Sequence, residues 1–93
     1  MDLLLKRYLC DLTIYVSARP GACDTPDGIC RWWLMAPQES EAIVAQALNW
    51  LVEQGAFERL EAADGRVRYR ACVDAGALRE LVAHCADSGG SKH

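Results

Sequence analysis

Two neighbouring segments, ALNWLVEQGAF at residues 47–57 and DGRVRYR at residues 64–70, carry the strongest structural signals of the sequence. The first segment carries apolar residues at helical spacing, with Ala47, Leu48 and Leu51 on one face. Gly55 follows as the left-handed residue that commonly ends a helix. Asp64-Gly65 is a strong turn signal for a two-stranded hairpin. The two segments therefore predict a helix followed directly by a β-hairpin.

The two predicted strands of the hairpin cover residues 56–61 and 66–73. Along the second strand apolar and basic side chains alternate, which places them on opposite sides: Val67, Tyr69 and Ala71 on one, Arg66, Arg68 and Arg70 on the other. Such an arginine row can clamp phosphates. It can equally pair across the strands with Glu58 and Glu61, and both interpretations stay open.

Outside these segments, the sequence predicts three further helices and one short strand. A first helix covers residues 3–17, a strand lies at Ala22 and Cys23, and Asp24 or Thr25 caps a second helix that ends near Trp33. The third helix begins between Pro37 and Ser40 and ends at Gln54. Asp74 caps a last helix over residues 75–86. The predicted fold is α+β and mostly α, with one domain at 1–87 and a flexible tail at 88–93.

This order resembles the winged helix-turn-helix family. The resemblance rests on residues 47–57 and 64–70, which look like the third helix and the wing, and covers roughly residues 3–73. The segment DTPDGICRWWL (residues 24–34) also resembles the second helix of small bacterial winged-helix proteins. The resemblance implies a three-helix bundle with a hairpin wing, to which this chain adds a C-terminal helix.

The resemblance also implies a DNA-binding transcriptional regulator. Its third helix would enter the major groove of duplex DNA and its wing arginines Arg66, Arg68 and Arg70 would contact phosphates. The outward face of the third helix carries amide side chains that suit adenine edges and an alanine that suits a thymine methyl group. These candidate DNA-reading residues are Gln38, Ala42, Gln46 and Asn49.

Charge favours a different partner. The chain has a net charge of −3, and residues 37–55 contain three glutamates and neither lysine nor arginine. Because phosphate contacts dominate affinity for DNA, an acidic reading helix weakens it. The alternative is a protein-interaction module of the same fold, whose acidic third helix and Trp50 dock onto a basic partner.

The last helix and the leucine-rich start of the first helix suggest a homodimer. Leu4, Leu78, Leu81 and Val82 are the predicted interface residues, because an apolar patch beyond the needs of one small core usually marks an association site. A two-fold dimer would also present two third helices to a palindromic site. The alternative is that the last helix folds back on the first and closes the core.

No enzyme, cofactor or metal site is expected. The chain contains no spacing typical of a nucleophile with its base, no glycine-rich phosphate loop and no closely spaced cysteine pair of the kind that binds zinc. Five cysteines without an export signal predict free, mostly buried thiols. The apolar runs are too short to cross a bilayer, so a cytoplasmic location is expected.

Overall fold

The computed structural model describes the backbone of residues 3–90 and the side chains of residues 3–84. Its helices are α1 (Leu3–Ala18), α2 (Pro26–Gly28), α3 (Glu41–Glu53) and α4 (Ala75–Gly90), and its strands are β1 (Cys23–Asp24), β2 (Phe57–Glu61) and β3 (Val67–Ala71). A π-helical stretch, Ile29–Trp33, prolongs α2, and a 3-10 turn, Gln38–Ser40, precedes α3. The described chain is therefore mostly helical, with a small antiparallel sheet.

Helix α1 supplies one wall of the core. Six apolar residues recur along it at spacings of three and four, which predicts one buried stripe, and five of them are buried: Leu5, Tyr8, Leu9, Leu12 and Val16. The sixth, Tyr15, is only half-buried and stacks on Trp33, with ring centroids 4.6 Å apart. The stripe packs against α3, whose buried side chains are Val44, Ala47, Leu48 and Leu51.

The second helix begins and ends where the sequence predicts, but its second half is π-helical and not α-helical. The Thr25 hydroxyl accepts a hydrogen bond from the Gly28 amide at 3.1 Å, which caps the helix. Beyond Gly28 the turns widen, and the Leu34 amide donates to the Ile29 carbonyl at 3.0 Å, five residues back. This π-helical pattern buries Trp33 and leaves Trp32 67% exposed, so one tryptophan is packed and its neighbour exposed, as adjacent helical positions require.

The sheet has the strand order β1-β3-β2, and both pairings are antiparallel. Gly55, with φ +77°, ends the segment before β2 as a left-handed residue, and Gly65, with φ +87°, lies in the hairpin turn. Alternation along β3 is confirmed, because Tyr69 is buried and Val67 and Ala71 half-buried while the arginines are exposed. The fold class is thus compatible with a winged helix.

Helix α4 begins where Asp74 accepts a hydrogen bond from the Ala77 amide at 2.7 Å. It continues to Gly90, four residues beyond the predicted end at Ala86, and so includes Ser88, Gly89 and Gly90 of the segment predicted as a tail. Residues 91–93 lie outside the described residues. No helix in the described range is both long and apolar enough to span a membrane.

Candidate functional site

The outward surface of α3 is polar and acidic. Helical geometry directs the exposed side chains of Ala42, Gln46, Asn49 and Glu53 away from the buried Val44–Leu51 stripe, and the exposed Gln38 and Glu39 precede them in the 3-10 turn. We call these residues the α3 face: Gln38, Glu39, Ala42, Gln46, Asn49 and Glu53. Three of the four predicted reading residues therefore share one side of α3, and the fourth, Gln38, lies in the turn before it.

One edge of the α3 face is apolar. Ile43 and Trp50 lie two turns apart at this edge, and both are half-buried against the core. Trp50, the residue that the sequence suggests for docking onto a partner, therefore lies at the flank of α3. A half-buried tryptophan keeps part of its ring available to a ligand while its rotamer is held by packing, which is typical of binding anchors.

The other edge of the α3 face borders a groove between α2, α3 and the hairpin. The groove has a volume of about 430 Å³ and its charged lining residues are Asp27, Glu41 and Arg66. Asp27 also lies 3.7 Å from Arg31, on the same helical segment. The sequence does not predict this groove, because nothing in it shows that the start of α2 meets the start of β3.

The arginine row of the hairpin is partly neutralised by the hairpin itself. Arg70 donates through Nε to Glu58 Oε2 at 2.8 Å and through Nη2 to the same oxygen. These two residues are direct cross-strand partners. The side-chain hydrogen bond and the nearby charge of Glu58 raise the pKa of Arg70. Arg70 is therefore held by cross-strand pairing, one of the two interpretations that the sequence left open.

The remaining arginines of the hairpin differ in how they are engaged. Arg66 Nε lies 3.8 Å from Asp64 Oδ2, in an exposed pair within the turn. Among the residues with described side chains, Arg68 and Arg59 form no ion pair. The hairpin therefore offers two unengaged guanidinium groups, one on each strand, where the sequence suggested a row of three.

The start of α3 is anchored from within the core. The Tyr8 hydroxyl, on α1, donates a hydrogen bond to Ser40 Oγ at 2.9 Å, and both side chains are buried. Because Ser40 is the last residue of the 3-10 turn, this bond fixes where α3 leaves that turn. The side chains of Gln38 and Glu39 are thereby placed on the α3 face.

The residues predicted to form a dimer interface belong to the core of the chain or to its margin. Leu78 is fully buried and Val82 is 5% exposed, both within the core of the chain itself, and Leu4 and Leu81 are half-buried at its margin. Helix α4 packs along α1. This is the arrangement in which the last helix folds back and closes the core, so Leu78 and Val82 do not supply an exposed patch.

The cysteines are more exposed than the sequence predicts. Cys10, Cys23, Cys30 and Cys72 are free, as predicted, but Cys30 alone among these four is buried, and Cys85 lies outside the described side chains. The prediction of mostly buried thiols is therefore wrong, since the edge strand β1 and the outer surface of α1 leave their cysteines in solvent. In the part of the chain that is described, no three histidine, cysteine or acidic side chains come close enough to hold a metal ion.

Comparisons with known proteins do not place the chain in a family. No protein-family model matches it, and neither the curated proteins nor the solved structures include a significant match. Function must therefore be argued from the α3 face and the hairpin.

Proposed function

We propose that this protein is a protein-interaction module that binds a basic segment of a partner protein with the α3 face. The observation that carries the proposal is the charge of that face. Glu39 and Glu53 lie near its ends and Glu41 beside it, and α3 with its flanks contains neither lysine nor arginine.

The physical argument is electrostatic complementarity. The glutamates of this face attract a basic partner, whereas they repel the phosphates of DNA. The hairpin offsets the repulsion only in part, because Arg70 is held by Glu58 and Arg66 lies beside Asp64, so that only Arg59 and Arg68 remain unengaged among the described side chains. The partner segment would combine arginine or lysine side chains for the glutamates with an apolar side chain for Ile43 and Trp50.

A second candidate function is the binding of duplex DNA by the same face. It is supported by the exposed amides of Gln38, Gln46 and Asn49, which are suited to base edges, and by Arg59 and Arg68, which no described acidic side chain neutralises. In this proposal α3 reads the major groove and the hairpin contacts phosphates, as in a cytoplasmic transcriptional regulator.

Fluorescence anisotropy at low salt distinguishes the two candidates. The probes are a labelled arginine-rich peptide that contains one leucine and a labelled random-sequence duplex. We expect the peptide to bind and the duplex not to bind. The double variant Glu39→Gln with Glu53→Gln should weaken peptide binding several-fold.

The matched control is Glu61→Gln with Glu80→Gln, which removes the same charge from exposed positions outside the α3 face. It should leave peptide affinity close to that of the unmodified protein. Equal loss in both double variants would show only a general attraction to negative charge and would contradict the proposal. Tight duplex binding that Arg68→Ala abolishes, with no peptide binding, would favour the DNA-binding candidate instead.

A further inference from the structure

An apolar surface on the outer side of α1 is unusually exposed. Ile14 is 67% exposed and Met35 84% exposed, and both line one groove of about 330 Å³ beside Leu34. We call the surface formed by Asp11, Ile14, Tyr15, Ala18, Arg19 and Met35 the Ile14 face. Ile14 points away from the buried stripe of α1, and the groove runs between α1 and the end of the π-helical stretch, without a lining residue from α3.

Met35 is held on this face by an unfavourable backbone conformation. Its φ is +50°, and it is the one residue other than glycine that has a positive φ among the described residues. This conformation is unfavourable for a residue with a Cβ atom, because the Cβ atom approaches the following carbonyl oxygen. Backbone strain of this kind tends to occur at functional positions, and here it projects an apolar side chain into solvent.

The rest of the Ile14 face is pre-organised. The Tyr15 ring is stacked on Trp33, with an angle of 9° between the planes. The Arg19 guanidinium lies 4.8 Å from the centroid of the same ring. Because these contacts already hold Tyr15 and Arg19 in place, little side-chain entropy is lost when a partner docks here.

The charges at the two ends of the face are opposite in sign and nearly symmetric. Asp11 precedes the midpoint between Ile14 and Tyr15 by about 5 Å along the helix axis, and Arg19 follows it by about 7 Å. Arg19 still continues the helical pattern, since its amide donates to the Tyr15 carbonyl at 2.9 Å. A two-fold axis through this midpoint would bring Asp11 of each copy next to Arg19 of the other.

We infer that the Ile14 face binds a second copy of this chain, in an antiparallel pairing of two α1 helices. The apolar centre, Ile14 with Met35, would be buried, and two Asp11–Arg19 pairs would flank it. In each pair Arg19 would share Asp11 with Arg7 of the same helix, whose Nε lies 3.9 Å from Asp11 Oδ2 in an exposed pair. A surface that is complementary to itself under a two-fold rotation is the requirement for an isologous dimer. The inference does not depend on the proposed function, because the α3 face remains free in such a dimer.

Sedimentation velocity of the full chain, under reducing conditions because Cys10 is exposed nearby, tests this interface. We expect reversible association to twice the monomer mass of 10.3 kDa at micromolar concentrations. Ile14→Glu should weaken association at least tenfold. Leu3→Glu is the matched control, because Leu3 is 82% exposed on the same helix but lies outside the pairing, and it should leave association unchanged.

Two further variants separate docking from stability and test the register. Met35→Asn keeps a residue that tolerates positive φ but removes the apolar side chain, so it should weaken the dimer without lowering the melting temperature of the monomer. Asp11→Arg and Arg19→Asp should each weaken association, and combining them should restore it. A chain that stays monomeric at hundreds of micromolar, or a dimer that Ile14→Glu does not weaken, would overturn the inference. A dimer in which the combined variant is no stronger than the single variants would also overturn the proposed pairing.

Discussion

Arg70 and Glu58 face each other across β3 and β2, and Arg70 Nε donates to Glu58 Oε2 at 2.8 Å. This pair engages one of the arginines on which the basic character of the hairpin depends. Hydrogen bonds between ionised partners are stronger than those between neutral groups. The hairpin therefore has less cationic charge to offer a phosphate than its sequence suggests.

The first prediction follows from this pair. Glu58→Gln should increase affinity for duplex DNA at low salt, because it removes a negative charge and releases the guanidinium of Arg70. If Arg70 then contacts a phosphate, the log-log salt dependence of binding should steepen by about 0.9. Anisotropy titrations at several salt concentrations measure both quantities.

The control for this prediction is Glu80→Gln, which removes the same charge from α4. It should change duplex affinity much less than Glu58→Gln does. Equal effects of the two substitutions would mean that only net charge matters and that the pairing of Arg70 is irrelevant to DNA.

The second prediction concerns the buried bond between Tyr8 and Ser40. Tyr8→Phe and Ser40→Ala should each lower the free energy of unfolding by about 1 kcal/mol, because each leaves one buried hydroxyl without its partner. The double variant should cost clearly less than the sum, since the second substitution removes the orphaned group. Urea denaturation of the four proteins gives this cycle. Strict additivity would show that the two hydroxyls do not act together.

The third prediction compares two glycines, each with open space where the Cβ atom of an alanine would lie. Gly55 has φ +77°, whereas Gly21 does not have a positive φ. Gly55→Ala should therefore destabilise the protein by about 1 kcal/mol through backbone strain alone. Gly21→Ala should stay within about 0.5 kcal/mol of the unmodified protein. Thermal melting decides, and equal effects would contradict the left-handed cap at the end of α3.

The fourth prediction concerns the reactivity of Cys30. Burial raises the pKa of the Cys30 thiol, and the charges of Glu41 and Asp27 raise it further. Since the thiolate is the reactive form, alkylation of Cys30 should be slower than that of Cys10, Cys23 or Cys72 and should require a higher pH. Mass spectrometry of iodoacetamide-treated protein over a pH series measures each site.

Glu41→Gln provides the test of cause for Cys30. Removing this carboxylate should lower the pH at which Cys30 becomes reactive, while Glu80→Gln should not move it. Alkylation of Cys30 as fast as that of Cys10 at neutral pH would contradict its burial.

Sequence periodicity predicted most of the fold because it reports which side chains need a core. The stripe of α1, the Thr25 cap, the Gly55 ending and the alternation along β3 are all local signals, and the structure confirms each of them. The π-helical stretch after Gly28 was not predictable in the same way. Its wider turns are a backbone arrangement that the residue types of Ile29–Trp33 do not signal.

The candidate site was harder to predict, because it depends on which elements meet. Alternation placed Arg70 on a face, but only the register of β2 against β3 shows that Glu58 is its partner. Likewise, the apolar spacing of Leu78 and Val82 indicates that one face of α4 is buried. It does not show that α1 of the same chain is the element that buries it. Nothing in the sequence marks Met35, since methionine is not a residue that favours positive φ.

The central claim is that the α3 face recognises a basic protein segment and not DNA. Chemical-shift mapping of the ¹⁵N-labelled protein tests it most directly, with the arginine-rich peptide and the random-sequence duplex added separately at low salt. We expect the peptide to shift the amide resonances of Gln46, Asn49 and Glu53 and the side-chain indole resonance of Trp50, and we expect the duplex to leave them in place. Shifts caused by the duplex in α3 and in the hairpin around Arg68 together, with no response to the peptide, would contradict it.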